Sequence, residues 1–250
     1  MVAPKKHLGQ HFLTDDNIAK RIGNLITDDC RNVIEVGPGK GILTKFLLEK
    51  DINLKAIDLD LESVEYLQEH YPEHLEKIIF GDFLKMDLLQ LFDGQHFQII
   101  GNYPYNISSQ ILFKALEYKD KVDCISGMFQ KEVAQRIITQ PGSKVYGILS
   151  VLMQTWYNCE YCFTVNEGSF FPPPKVKSGV IRLTRNNVSD IGVDEKLYIE
   201  IIKTSFNQRR KTLRNSLKSF NLPDMDMLNK RPEVLSPQDF IELTRLAGER

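Results

Sequence analysis

The sequence predicts an α/β fold, a mostly parallel sheet of seven strands followed by a small all-helical domain. Three observations predict it. Through the first two thirds of the 250 residues, short β-branched apolar runs alternate with stretches of helical period. Glycine, aspartate and asparagine recur where those runs end, the side on which open α/β sheets present their loops. Beyond Arg185 the strand-like runs stop, and a helical period interrupted by Pro223, Pro232 and Pro237 takes over.

Taken in order, the chain opens with a basic arm. Thr14 and Asp15 then offer N-caps for a helix whose Ile18, Ile22, Leu25 and Ile26 share one face. Strand-like runs follow at 32–37, 54–59, 77–82, 97–102, 123–129 and 176–183. A helix-compatible stretch follows each of the first five, so five βα units are predicted. No long helix separates 157–165 from 176–183, and these two are expected to pair antiparallel at the sheet edge, giving seven strands. The composition of 185–194 shifts to Asn, Ser, Asp and Gly, a linker, which puts the domains at 1–184 and 185–250.

Composition excludes several classes. Hydrophobic residues at 42% and charged residues at 26% are those of a globular chain. Apolar runs of a few residues fall far short of the ~20 that cross a bilayer. The N-terminus has no apolar stretch of the secretory kind, so a cytoplasmic protein is expected. Four cysteines in a chain of this length predict reduced thiols. Cys159 and Cys162 have the spacing of half a zinc site but no second pair, so they read as strand packing and no metal is expected. With 32 basic and 33 acidic side chains the net charge is −1, and a polyanion would have to be met by a local patch. One candidate is 203–218, where Lys203, Arg209, Arg210, Lys211, Arg214 and Lys218 occur without an acidic residue.

The chemistry concentrates at strand ends. Glu35-Val36-Gly37-Pro38-Gly39-Lys40-Gly41 leaves a strand and opens a helix, a nucleotide-type loop. The pyrophosphate fingerprint would put glycine where this chain has Ile42, which disfavours a dinucleotide. Asp58 ends the second run and is placed to accept both hydroxyls of a ribose, with Asp60 as its competitor. Asp82 ends the third run and Asn102 the fourth. In Asn102-Tyr103-Pro104-Tyr105, an amide oxygen and a main-chain carbonyl can accept both hydrogens of an exocyclic amine while an aromatic ring stacks on the base. No strong base stands nearby, and none is required if the electrophile is a sulfonium and the amine loses its proton after attack.

These residues, with Gly9-Gln10-His11-Phe12-Leu13, Gln130 to Val133, Phe170 to Ser178 and Gln208 to Asn215, make the chain resemble the small-subunit ribosomal RNA adenine N6,N6-dimethyltransferases. This is the KsgA type of class I, Rossmann-like, S-adenosylmethionine-dependent methyltransferase, and the resemblance covers nearly the whole length. It implies S-adenosylmethionine as methyl donor, leaving as S-adenosylhomocysteine. It also implies that His11, Leu13, Glu35, Gly37, Gly39, Asp58, Asp82 and Asn102 form the donor site. Asn102, the Tyr103 carbonyl held by Pro104, Tyr105 and Phe170, rather than Phe171, would grip the target adenine. The implied substrate is a pair of adjacent adenosines in the hairpin loop near the 3′ end of small-subunit RNA, met during subunit assembly. The sequence leaves the oligomeric state open, with monomer as the default expectation. The chain departs from the family in having His11 where many relatives carry Asn, which makes a protonation state a new variable, and Tyr103 where Leu is usual.

On helical spacing Arg210 and Arg214 would share a face, making Arg209, Arg210, Lys211, Arg214 and Lys218 an RNA-contacting stripe that Lys5, Lys6 and His7 extend. Two rivals stand beside this reading. The related methyltransferases of large-subunit RNA commonly show Ser at position 38, where this chain has proline. An assembly factor that binds RNA without methylating would not be expected to keep Glu35, Asp58, Asp82 and Asn102 intact.

Overall fold

The computed structural model describes residues 2–5 and 8–248. β1 (Phe12–Leu13) is a two-residue strand. It leads into α1 (Asp16–Gly23), capped by Asp15, whose carboxylate accepts the N–H groups of Asn17 and Ile18. Thr14 is not the cap; its N–H and hydroxyl both donate to the Ser169 carbonyl. There follow β2 (Asn32–Val36), α2 (Thr44–Leu48), β3 (Asn53–Asp58), α3 (Leu61–His70), β4 (Ile78–Phe80), β5 (Phe97–Asn102), α4 (Ser108–Glu117), β6 (Val122–Gln130) and α5 (Lys131–Ile138). Next come α6 (Ile148–Trp156), β7 (Tyr157–Val165), β8 (Phe170–Phe171) and β9 (Ser178–Arg185).

Seven strands form one sheet in the order β4-β3-β2-β5-β6-β9-β7. β4, β3, β2, β5 and β6 are parallel, and β9 runs antiparallel to β6. The expected seven-stranded α/β sheet is therefore present, with β9 inserted between β6 and β7. The expectation of five βα units needs correction. After β4 the chain makes only a 3-10 turn at Leu88–Phe92, because Asp87 caps its start and Asp93 (φ 52°) and Gly94 (φ 72°) reverse the backbone one turn later. β1 and β8 pair with each other as a separate antiparallel ribbon, Phe12 opposite Phe171 and Leu13 opposite Phe170.

One buried cluster packs α1 and α2 against the sheet through Ala19, Ile22, Leu43, Leu47, Val33 and Ile100. At the centre, Tyr103 is buried, and its hydroxyl donates to the Ser126 carbonyl at 2.7 Å while its ring lies 4.6 Å from that of Phe129. The paired residues Gly101 and Gly127 make room for it: a Cβ at Gly127 would stand 2.8 Å from the ring. The unusual tyrosine is thus a packing element matched by two glycines, and its main-chain N–H donates to the Met128 carbonyl at 3.1 Å.

The chain divides into two compact units, Met1–Ala134 with Glu160–Arg185, and Gln135–Cys159 with Asn186–Arg250. A single boundary at 184/185 misses the inclusion of 135–159 in the second unit. That unit is held by the Thr155 and Tyr198 hydroxyls at 2.8 Å, the edge of Trp156 on Tyr198, and the Asn186 amide donating to the Thr155 carbonyl. Its further helices are α7 (Glu195–Asn207), α8 (Leu213–Ser216) and α9 (Pro237–Gly248). The predicted basic helix across 203–218 is two pieces, because 208–212 is not helical. Arg210 therefore lies between α7 and α8 and shares no helical face with Arg214.

Candidate active site

The ends of β2, β3, β4 and β5 open onto one cleft whose walls include Gly37, Gly39, Asp58, Asp82, Asn102, Tyr103, Pro104, Tyr105 and His11. Gly37 (φ 70°) and Gly39 (φ 54°) hold left-handed backbone that other residues resist. A Cβ at Gly39 would come 2.8 Å from the Phe12 ring, so the loop approaches the arm at backbone distance. Asp58, buried at the end of β3, accepts the Gly39 N–H at 3.0 Å on one oxygen and the Asp60 N–H at 2.9 Å on the other. Each oxygen keeps a lone pair for a further donor. Burial raises the Asp58 pKa, against the backbone donors that lower it.

The competitor Asp60 is fully engaged elsewhere. Its carboxylate takes Lys5 Nζ at 2.6 Å, Gln10 Nε2 at 3.1 Å and Ser63 Oγ at 3.1 Å, and it caps α3. Lys5 is correspondingly an ion-pair partner that moors the arm, with Glu62 as its second neighbour at 3.5 Å. Lys6 and His7 lie outside the described residues. Asp82 accepts the Leu84 N–H at 3.1 Å and faces Lys85 at 3.3 Å while still lining the cleft.

At the end of β5, Asn102 Nδ2 donates to the His11 carbonyl at 3.0 Å, which leaves Oδ1 as the atom that can accept in the cleft. The Tyr105 hydroxyl is bonded to Ser178 Oγ at 2.5 Å, fixing its ring, and burial raises its pKa. The His11 ring lies 5.4 Å from that ring at a 31° tilt, and its Nδ1 is 2.8 Å from the Pro172 carbonyl. Arm, strand end and proline loop therefore meet on one residue.

Three expected site residues are not on the cleft wall. The Leu13 and Phe170 side chains are 4% exposed and belong to the apolar cluster under the ribbon. Strand alternation explains this: Phe12 faces the cleft, so Leu13 and its partner Phe170 face the core. Phe171, the alternative set aside at the sequence level, is 60% exposed, and it too lies off the wall. Glu35 is buried beneath the loop, with Oε2 lacking any hydrogen-bond partner. Burial pushes its carboxyl from the ordinary 4.5 up to about 8, and the nearby Asp58 charge adds to the rise.

A stability prediction follows from Glu35. Between the two pKa values the folded chain holds one more proton than the unfolded chain, so stability falls as pH rises through that window. Glu35→Gln has no proton to lose, and we expect it to be more stable than wild type by about 4 kcal/mol near the upper end of the window and equal at the lower end. Thermal unfolding curves that stay parallel across that range would refute the assignment.

The basic residues also divide. Arg209 donates to the carbonyls of Lys144 and Tyr146, and Arg214 pairs with Asp224 at 2.6 Å and Asn229 at 3.1 Å, so both serve the fold of the second unit. Arg210, Lys211 and Lys218 are exposed and have no acidic partner among the described residues. Sequence reasoning missed Phe12, Ile57, Leu59, Phe83 and Leu84, the apolar wall around Asp58 and Asp82. The available signal was adjacency: each stands within two residues of a polar residue that had been singled out. Among the described residues no cluster of His, Cys, Asp and Glu could hold a metal.

Residues 1–244 match the family model described as ribosomal RNA adenine dimethylase. The chain belongs to that family. Relatives of this dimethylase include the ribosomal RNA small subunit methyltransferase A of Parabacteroides distasonis, 56% identical over 99% of this chain and 95% of its own length. The enzyme of that name from Phocaeicola vulgatus is 57% identical over 98% of this chain and 89% of its own. Among solved structures, a dimethyladenosine transferase from Plasmodium falciparum superposes on the dimethylase with a TM-score of 0.78 at 25% identity, covering 93% of this chain and 96% of that one. The 23S rRNA methyltransferase ErmE shares the fold, with a TM-score of 0.72 at 21% identity over 95% and 99% of the two chains.

Proposed function

We propose that this chain dimethylates the N6 amino groups of two adjacent adenosines in the 3′-terminal hairpin loop of small-subunit (16S) ribosomal RNA, with S-adenosylmethionine as the methyl source. The observation that carries the reading is convergence: Asp58, Asp82 and Asn102, on three different strand ends, open onto a single cleft.

The cleft fits the donor. Gly37 and Gly39, both in left-handed backbone, let the loop come close to the methionine portion, and at Gly39 a Cβ would collide with the Phe12 ring. Asp58 has lone pairs left for the ribose hydroxyls, Asp82 faces the donor's adenine amino group between apolar Phe83 and Leu84, and the unpaired Glu35 Oε2 lies buried under the same loop. When bound, the donor supplies an electrophilic methyl on a sulfonium.

Asn102 Oδ1 and the Tyr103 carbonyl accept the two hydrogens of the target amine and turn its lone pair toward the donor side. Tyr105 stacks on the purine, at roughly 1–3 kcal/mol per base, against a few kcal/mol for extruding it from its own stack. The buried Phe170 has to leave its cluster to act as a second stacking ring. Holding both reactants in line supplies most of the rate. Arg210, Lys211 and Lys218 meet RNA phosphates, with Arg209 and Arg214 holding the second unit that carries them. The acceptor is an assembling small subunit in the cytoplasm, and the chain acts as a monomer.

The test is incubation of the full chain with labelled methyl donor and small subunits lacking the modification, followed by mapping. Label as dimethyladenosine at two neighbouring positions of the terminal hairpin is expected. Label confined to large-subunit RNA, or none, would overturn the reading.

A further inference from the structure

The proline loop that joins β8 to β9 is tied to the cleft at both ends. At its start the Pro172 carbonyl stands 2.8 Å from His11 Nδ1, and the His11 ring lies 5.4 Å from that of Tyr105. At its end Ser178 Oγ meets the Tyr105 hydroxyl at 2.5 Å, and the Lys177 carbonyl accepts the Lys131 N–H at 2.9 Å. The two anchors are so close in sequence that the loop has to pass beside the Tyr105 ring. Pro174 is buried, and three consecutive prolines stiffen the backbone.

The side chains that this loop sends into water are an aromatic ring and two cations. Phe171 is 60% exposed, and Lys175, Val176 and Lys177 are exposed with it. Phe171 stands directly opposite Phe12 in the β1–β8 ribbon, and opposed residues of a ladder point to one side of it. Phe12 lines the cleft, with Lys40 Nζ 5.0 Å from the centre of its ring, so Phe171 carries that face past the wall to the rim. No acidic residue occurs between Glu167 and Asp190, and Lys175 and Lys177 form no ion pair among the described residues. A solvated ring flanked by uncompensated lysines matches an unpaired stretch of nucleic acid, which offers a flat base to the one and phosphates to the others.

We propose that Phe171, Lys175 and Lys177 form a subsite for a nucleotide next to the target adenosine, with Phe171 stacked on its base and the lysines on its phosphates. The proposal rests on the reading under Proposed function and adds to it what holds the flanking strand. A target adenine that leaves its stack to reach Tyr105 uncovers one face of its neighbour. Phe171 covers that face from the rim, which offsets part of the extrusion cost without placing any group in the pocket.

The experiment measures equilibrium binding of unmodified small subunits to the full chain between about 50 and 200 mM salt. It compares wild type, Phe171→Ala, Phe171→Leu, Phe171→Trp and the double variant Lys175→Gln with Lys177→Gln. Expected are about tenfold weaker binding for the alanine and leucine variants, recovery with tryptophan, and a salt slope unchanged in all three. Donor affinity and Tm should not move, because Phe171 lies outside both the cleft wall and the core. The double lysine variant should flatten the slope of log affinity against log salt by about 1.5, for two phosphates. Position is read by placing p-benzoylphenylalanine at 171 and irradiating the complex, with the crosslink expected in the hairpin that receives the methyl groups. Alanine or leucine variants that bind as tightly as wild type, or no crosslink to that hairpin, would overturn the subsite and leave the methyltransferase reading standing. An unchanged slope in the lysine variant would overturn the phosphate contacts. A wild-type chain that transfers no methyl group to the same subunits would overturn the reading beneath the proposal as well.

Discussion

Asn102→Ala is expected to lower methyl transfer by about 10³-fold, the loss seen when a positioned polar group is removed from a reacting centre. Affinity for donor and RNA should stay within about threefold, because the substitution removes one amide while Asp58, Asp82 and the exposed cations remain. Two contacts disappear together: the Oδ1 acceptor, and the Nδ2 donor that ties the arm to β5 at the His11 carbonyl. Single-turnover rates with labelled donor, alongside equilibrium binding of both ligands, separate the two. A variant that turns over near the wild-type rate would show that the amine is not gripped by this side chain. If affinity fell as much as rate, the residue's main work would be closing the arm.

Gly127→Ala should be the most damaging single methyl group for stability. The residue has φ 137°, which side chains resist, and its Cβ would stand 2.1 Å from the Gly101 carbonyl oxygen and 2.8 Å from the Tyr103 ring. A backbone oxygen in a central strand pair cannot swing aside as a flexible side chain can. We expect a loss of about 4 kcal/mol, above the usual overpacking cost because steric and torsional strain add. In a chain of this size that lowers Tm by roughly 10 °C. Gly94→Ala is the control. Its φ is also positive, 72°, but nothing lies within 4 Å, so only the torsional part, about 1 kcal/mol, should appear. Equal losses in the two variants would mean that the β5–β6 contact relaxes.

Much of the site was legible because its chemistry sits where strand periodicity breaks. Asp58, Asp82 and Asn102 each follow an apolar run, and a residue's place at a strand end can be read without knowing the pairing. The choice between Asp58 and Asp60 could not be read. It is decided by Lys5 and Gln10, 55 and 50 residues away in sequence, which occupy Asp60 and leave Asp58 to the cleft. Leu13 and Phe170 were placed by motif, but the pairing of β1 with β8 decides which of two neighbours faces inward, and nothing local in a two-residue strand records it. The partners of individual residues in the basic stripe were hidden for a different reason. A charge run gives no sign of carbonyls or acids that neutralise particular members, so Arg209 and Arg214 looked the same as Arg210 and Lys211. The same blindness to tertiary packing moved residues 135–159 from one unit to the other: α6 has the apolar period of a crossover helix, but its hydroxyl and indole partners are on α7.

The ribbon of β1 and β8 has a consequence for biosynthesis. His11 and Pro172 are 161 positions apart, so the last wall of the cleft is delivered only after most of the chain has been translated. A nascent polypeptide emerging as far as β6 already carries every strand-end carboxylate and amide and the Asp60 and Asn102 contacts that moor the arm, yet β1 has no β8 to pair with. Closure waits for the most sequence-distant contact, the kind that forms slowest. An unfinished copy of this enzyme, still tethered to the ribosome that is making it, therefore presents an open and incomplete cleft.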